Sequence, residues 1–117
     1  MHNFKDLKVW IAGIGMCKEI FQLTKAFPDE EKFGLTSQMK RAAISIPSNI
    51  AEGCGRKSNK EFYQFLNVAL GSSFELETQL IIAYEFAYIT QQTLGEKGAL
   101  ITEIQKMIYG LQKSLTV

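Results

Sequence analysis

Apolar residues recur at steps of three and four along almost the whole chain, the period of helices that each bury one face. Leu7, Trp10, Ile11, Ile14, Cys17, Phe21 and Thr24 form the first stripe. Asn3 is a candidate N-cap for it, with Asp6 three residues on as a short variant of the capping box. Gly13 and Gly15 weaken a helix, each by about 1 kcal/mol relative to Ala, and a close helix neighbour would explain them. Phe27-Pro28 ends the helix, because Pro28 disfavours helical geometry in the residue before it. Asp29-Glu30-Glu31 then reads as a single turn with proline in its first position.

A second helix starts near Leu35 and runs to Gly53 or Gly55, with Leu35, Met39, Ala42, Ile46 and Ile50 as its stripe. Pro47 lies inside it, removes one donor and crowds the Ala43 carbonyl, which predicts a kink rather than a stop. Ser58-Asn59-Lys60-Glu61 is a capping box, the best start signal in the chain. The third helix carries Phe62, Phe65, Leu66, Ala69, Ser73, Leu76, Leu80, Ala83 and Ala87 on one face and meets no proline through Ile89. Thr90 caps the last helix, or Gly95 delays its start to Glu96. Its stripe is Leu100, Ile101, Ile104, Met107, Ile108, Leu111 and Leu115. No strand-length alternation, repeat or linker interrupts this pattern. It predicts an all-α fold, an antiparallel up-and-down four-helix bundle with a kinked second helix, as one domain over 1–117.

Composition narrows the function. The chain is 46% hydrophobic and 21% charged, which suits one packed core in 117 residues. Cys17 and Cys54 make no disulfide framework or Cys-x-x-Cys pair, and apolar packing is their default. The single histidine, His2, stands at the start, so His-dependent catalysis and His-based metal sites are nearly excluded. Glu52, Glu61, Glu75, Glu77 and Glu85 lack the Glu-x-x-His pairing of a di-iron bundle. No catalytic residue, metal or cofactor is expected. Neither a secretory signal nor a membrane-spanning run is found.

Two features point outward. Gln38, Arg41, Ser45, Asn49, Glu52 and Arg56 form a polar row beside the apolar stripe of the second helix, and it holds both arginines of the chain. Such a row is either a solvated face or a contact surface for a subunit or charged ligand. Asn49 and Glu52 are expected to be partly buried and hydrogen-bonded. Residues 1–60 hold ten basic and six acidic side chains and residues 61–117 three and six, net +4 against −3. Lys40, Arg41, Arg56, Lys57 and Lys60 could displace counterions from phosphates, making them candidate nucleic-acid contacts. Their alternative role is self-complementary contact between subunits. An overall charge of +1 argues against a dedicated, high-affinity nucleic-acid binder, and aromatics hardly interleave with the cations. Surplus apolar residues also lie outside the stripes: Ile44, Val68, Leu70, Phe74, Ile82 and Phe86. A partner is expected to cover them, with Phe74, Ile82 and Phe86 as the candidate oligomer interface.

The string Ser45-Ile46-Pro47-Ser48-Asn49-Ile50-Ala51-Glu52-Gly53 carries a family resemblance. With it go Phe27-Pro28, Phe33-Gly34-Leu35, Gln38, Arg41-Ala42-Ala43, Gly55-Arg56, the opening Phe4-x-x-Leu7-x-x-Trp10 and the stretch Phe62 to Glu75. Together they resemble the 23S rRNA-intervening-sequence family of four-helix bundle proteins. The resemblance implies a small bacterial, cytoplasmic protein that forms a homo-oligomeric ring, with a pentamer favoured. The fold is also similar to the accessory variability protein of diversity-generating retroelements, for which RNA or DNA and a reverse transcriptase are the expected partners. No catalytic residue comes with either resemblance. The two readings are therefore a non-enzymatic, nucleic-acid-associated accessory protein and a protein-binding scaffold ring.

Overall fold

In the computed structural model, residues 3–117 are described, so the expectation placed on His2 falls outside them. Four helices and no strands are found among these residues: α1 Lys8–Thr24, α2 Leu35–Cys54, α3 Asn59–Glu85 and α4 Gln91–Ser114. Single 3-10 turns lie at Phe4–Asp6 and Asp29–Glu31. α1 packs against α2 and α4, and α3 against α2 and α4, in a rod of 44 × 24 × 20 Å. The most extensive contact is between α2 and α3.

Ser58 and Thr90 cap as their hydroxyls predict, accepting from the backbone N–H of Glu61 and Thr93 at 3.1 Å each. Asn3 does not cap α1. Its side chain accepts from the Lys5 N–H and caps the 3-10 turn, and Leu7 precedes α1 without a side-chain cap. The start of α2 is held from outside the helix. Glu31 accepts from the Leu35 N–H at 3.1 Å and from the Tyr88 hydroxyl at 2.8 Å. These two bonds hold the Glu31 carboxyl below its usual range, and the same contact pushes the Tyr88 phenol up.

α3 stops at Glu85, four residues short of the expected Ile89. Ala87 takes the left-handed conformation at φ 63°. The Ala87 N–H then bonds the Tyr84 carbonyl and the Tyr88 N–H the Ala83 carbonyl, each at 2.9 Å. This is a Schellman ending, unmarked in the sequence because alanine occupies the position that glycine favours.

α1 differs most from expectation. Val9, Gly13, Met16 and Ile20 face the core, whereas Ile11 and Phe21 are exposed and Trp10, Ile14 and Cys17 half-buried. Gly13 is the reason. A Cβ there would lie 3.3 Å from the Pro47 ring, so α1 turns its glycine face to α2 and its large side chains to the outer edge. Gly15 has no such neighbour.

α2 is unbroken through Pro47. The proline leaves the fully buried Ala43 without its usual i+4 donor, and the Cys17 thiol of α1 donates to that carbonyl at 3.2 Å. Burial raises the Cys17 thiol pKa, which keeps this donor protonated. On the other side of α2, a Cβ at Gly53 would sit 2.6 Å from Phe65 Cβ and 3.0 Å from the Phe62 ring.

Gly53→Ala should lower stability by about 1–2 kcal/mol. Overpacking against a Cβ that cannot swing away costs about 1–3 kcal/mol and exceeds the gain of about 1 kcal/mol in helix propensity. Ala87→Gly should raise stability by about 0.5–1 kcal/mol, since relief of the left-handed strain exceeds the added unfolded-state entropy. Urea midpoints of the two variants against the parent chain measure both effects.

Candidate nucleic-acid interface

The polar row of α2 divides into three parts. At its centre, Asn49 donates to the Ser45 carbonyl at 2.8 Å and to Ser45 Oγ at 2.9 Å. Ser72 of α3 donates to the same Ser45 Oγ at 2.8 Å. Asn49 is thus half-buried and bonded as expected, but it does not serve the carbonyl freed by Pro47, which Cys17 reaches instead. Toward the start of α2, Gln38, Arg41, Ala42 and Ser45 line a recess of about 200 Å³ with Glu75 of α3. Below it, the buried Gln79 donates to Glu75 at 3.1 Å, while its own Oε1 has no hydrogen-bond partner among the described residues. Toward the end of α2, Glu52 is exposed rather than partly buried, and it pairs with Arg56 at 3.0 Å. Arg56 also lies 4.8 Å above the Phe65 ring.

The five candidate cations do not form one patch. Arg41 and Arg56 are fifteen residues apart, roughly 22 Å along a helix. Lys40 faces the opposite side of α2 and lies over Phe21 of α1 at 4.9 Å, whereas Arg41 turns toward α3. Arg56, Lys57 and Lys60 stay together at one end of the rod, all exposed.

That end gathers further cations from distant parts of the chain. Leu7, Lys8 and Val9 share a recess with Met107 and Leu111, which brings the start of α1 to the end of α4. Trp10 lies in a groove with Ala51, which brings it to the end of α2. Asn59 donates to the Thr116 carbonyl at 3.2 Å, and Gln112 to Asn67 Oδ1 at 2.7 Å, which joins the start of α3 to the end of α4. Lys5, Lys8, Arg56, Lys57, Lys60 and Lys113 are all exposed there, against the carboxylates of Asp6, Glu52 and Glu61. The other end carries Asp29, Glu30, Glu31, Glu85 and Glu96 against Lys25, Lys32 and Lys97, the last paired with Glu19 at 2.6 Å. Lys5, Lys8 and Lys113 were invisible as candidates because they lie far from Lys57 in sequence. Their signal lies in the order of the helices, which decides which termini meet.

Phe74 and Ile82 stand exposed on α3 and Phe86 just beyond its end, as do Val68 on α3 and Ile44 on α2. Leu70, expected among them, is buried. No group of three or more potential metal ligands occurs among the described residues, and no helix among them is long and apolar enough to cross a membrane.

Four helices and no strand among the described residues make this an all-helical protein. The chain belongs to the 23S rRNA-intervening sequence protein family, whose model matches residues 5–110. It is similar to a protein of unknown function from the S23 ribosomal protein family of Bacteroides thetaiotaomicron VPI-5482, with 29% identity and a TM-score of 0.84. That match covers 91% of this chain and 96% of the other. No curated protein matches the chain.

Ser45→Ala should cost about 1–2 kcal/mol by leaving the Ser72 hydroxyl without an acceptor where water is scarce. In a double-mutant cycle read by urea unfolding, Ser45→Ala with Ser72→Ala should lose less than the two single losses added.

Proposed function

We propose that this chain is a non-enzymatic accessory protein that acts as a homo-oligomer and associates with RNA or DNA through its basic end. The observation that carries this reading is the convergence of Lys5, Lys8, Arg56, Lys57, Lys60 and Lys113 from all four helices and their flanks. Cations held together on a rigid end displace condensed counterions, which a net charge of +1 spread evenly over the surface could not do. Lys40 and Arg41, nearer the start of α2, fall outside this surface.

The assembly is read as an up-and-down, antiparallel bundle, bent at Pro47, that forms a cytoplasmic ring of five copies. The pairing of Trp10 with Ala51, Gly13 with Pro47 and Phe21 with Lys40 supports opposite directions for α1 and α2. A reverse transcriptase or another protein is a candidate further partner. The second reading, a scaffold ring with no nucleic-acid role, draws on the exposed apolar faces of α1, α2 and α3.

Fluorescence anisotropy with a labelled single-stranded RNA and a duplex DNA tests the first reading. If all six cations meet phosphates, affinity should fall roughly 10³-fold between 50 and 200 mM salt. Replacing Lys57, Lys60 and Lys113 by Ala should reduce the slope of log affinity against log salt by about three, while replacing Lys25 and Lys32 should leave it unchanged. Absent binding, or binding indifferent to salt, would leave the scaffold reading in its place.

A further inference from the structure

The outer side of the α1–α2 pair is an apolar groove of about 320 Å³ lined by Trp10, Ile14, Cys17, Ile44, Pro47 and Ala51, with Ser48 at its rim. It exists because Gly13 and Pro47 occupy the inner contact and displace the large side chains of α1 outward. Ile44 is 47% exposed in it. A second apolar surface lies on α3, which packs on α2 and α4 but not on α1. Gly71, Thr78 and Glu85 recur every seven residues along the middle of its exposed face. Phe74 and Ile81 form one flank, and Val68, Glu75 and Ile82 the other. A face with small residues in the middle and apolar ridges at both sides matches a groove between two helices, one ridge for each wall.

Charge and register select the occupant. From Leu35 to Ala51, α2 has Lys40 and Arg41 and no carboxylate, and Lys18 stands exposed beside the groove on α1. From Glu61 to Glu85, α3 has four carboxylates and no cation. The Ser72–Ser45 hydrogen bond fixes the relative height of the two surfaces within one chain. Phe74 then stands level with Ile44, two residues from Ser72 and one from Ser45, and Glu75 stands near the level of Lys18 and Lys40. A second copy laid alongside in the same direction brings Phe74 to the middle of the groove and Glu75 to the lysines without any shift.

We infer that the α1–α2 groove receives the exposed α3 face of a second copy of this chain, pointing the same way, with Phe74 between Ile14 and Ile44. The inference rests on the oligomeric reading above and supplies its contact. The contact is heterologous, so each copy gives one face and receives another, and repetition closes a ring or extends a filament. Large aromatic side chains that become fully desolvated carry most of the energy of such contacts.

Complementation tests it. Ile44→Asp spoils the groove and leaves the α3 face intact, and Phe74→Asp does the reverse. In light scattering after size exclusion at low micromolar concentration, each variant alone should run at the 13.2 kDa chain mass. An equimolar mixture should give a species of twice that mass and nothing larger, because the one remaining good groove meets the one remaining good face. Ser48→Arg and Thr78→Arg change exposed polar positions on the same two surfaces, so they repeat the test without risk to the core. A groove variant that disrupts assembly while the α3 variant does not, or the reverse, would overturn the inference and leave the oligomeric reading standing. A mixture that stays monomeric would do the same. A parent chain of 13.2 kDa would overturn both.

Discussion

The buried carbonyl of Ala43 is the constraint from which much of this fold follows. Pro47 removes the N–H that would satisfy it, and a buried carbonyl without a donor costs about 1–3 kcal/mol. The donor comes from Cys17 at 3.2 Å, which requires α1 to lie close to α2. Gly13 makes the approach possible, since its missing side chain is what the Pro47 ring packs against. Gly53 does the same on the far side, against Phe62 and Phe65 of α3. α2 is therefore clamped between two helices through two glycines. The Ser45–Ser72–Asn49 seam is the polar counterpart of that closeness, because hydroxyl groups bond across two helices only when the backbones are near.

The clamp also shapes the surface. With glycine turned inward, Trp10 and Ile14 are only half-buried and line the outer edge beside Ile44, and Phe21 is exposed. The resulting groove is not unused surface but the reverse side of the Gly13–Pro47 contact. Lys40 follows from the same geometry. It sits over Phe21 at 4.9 Å, so one of the two adjacent cations of α2 lies against α1 and the other in the recess shared with α3.

The number of helices and most of their limits were legible in the sequence because they rest on local signals. Ser58 and Thr90 act within three residues of themselves, and the stripe of α2 needs only the helical period. Three things were not legible, each for a physical reason. The helical period puts Leu7, Trp10, Ile11, Ile14, Cys17, Phe21 and Thr24 on one stripe, whereas close packing gives the core to Val9, Gly13, Met16 and Ile20 and keeps only Thr24 of that stripe buried. The end of α3 was hidden because Ala87 adopts a conformation for which alanine gives no signal. The cation cluster was drawn from neighbours in sequence, and the pairing of helix ends replaced it by one that includes Lys5, Lys8 and Lys113 and leaves out Lys40 and Arg41. The burial and bonding of Asn49 were legible, but its partnership with Ser45 and Ser72 needs the approach of α3, and Glu52 is exposed and paired with Arg56 instead.

The two proposals constrain each other through electrostatics. Copies docked side by side in one direction place all their basic ends on the same rim, and like charges there repel. The rod is 20–24 Å across, so the axes of neighbouring copies stand about that far apart, and cations on their facing edges come closer than that. In the proposed contact Glu75 faces Lys18 and Lys40, so attraction along the interface opposes repulsion at the rim. As salt is lowered the repulsion at the rim is less screened, which shifts the balance there against assembly. A nucleic acid laid across the rim reverses that shift, because its phosphates neutralise several ends at once and each additional end engages at a high effective concentration. On these two proposals assembly and nucleic-acid association support one another, although the contact draws on Lys18 and Lys40 and the phosphates on the lysines of the basic end.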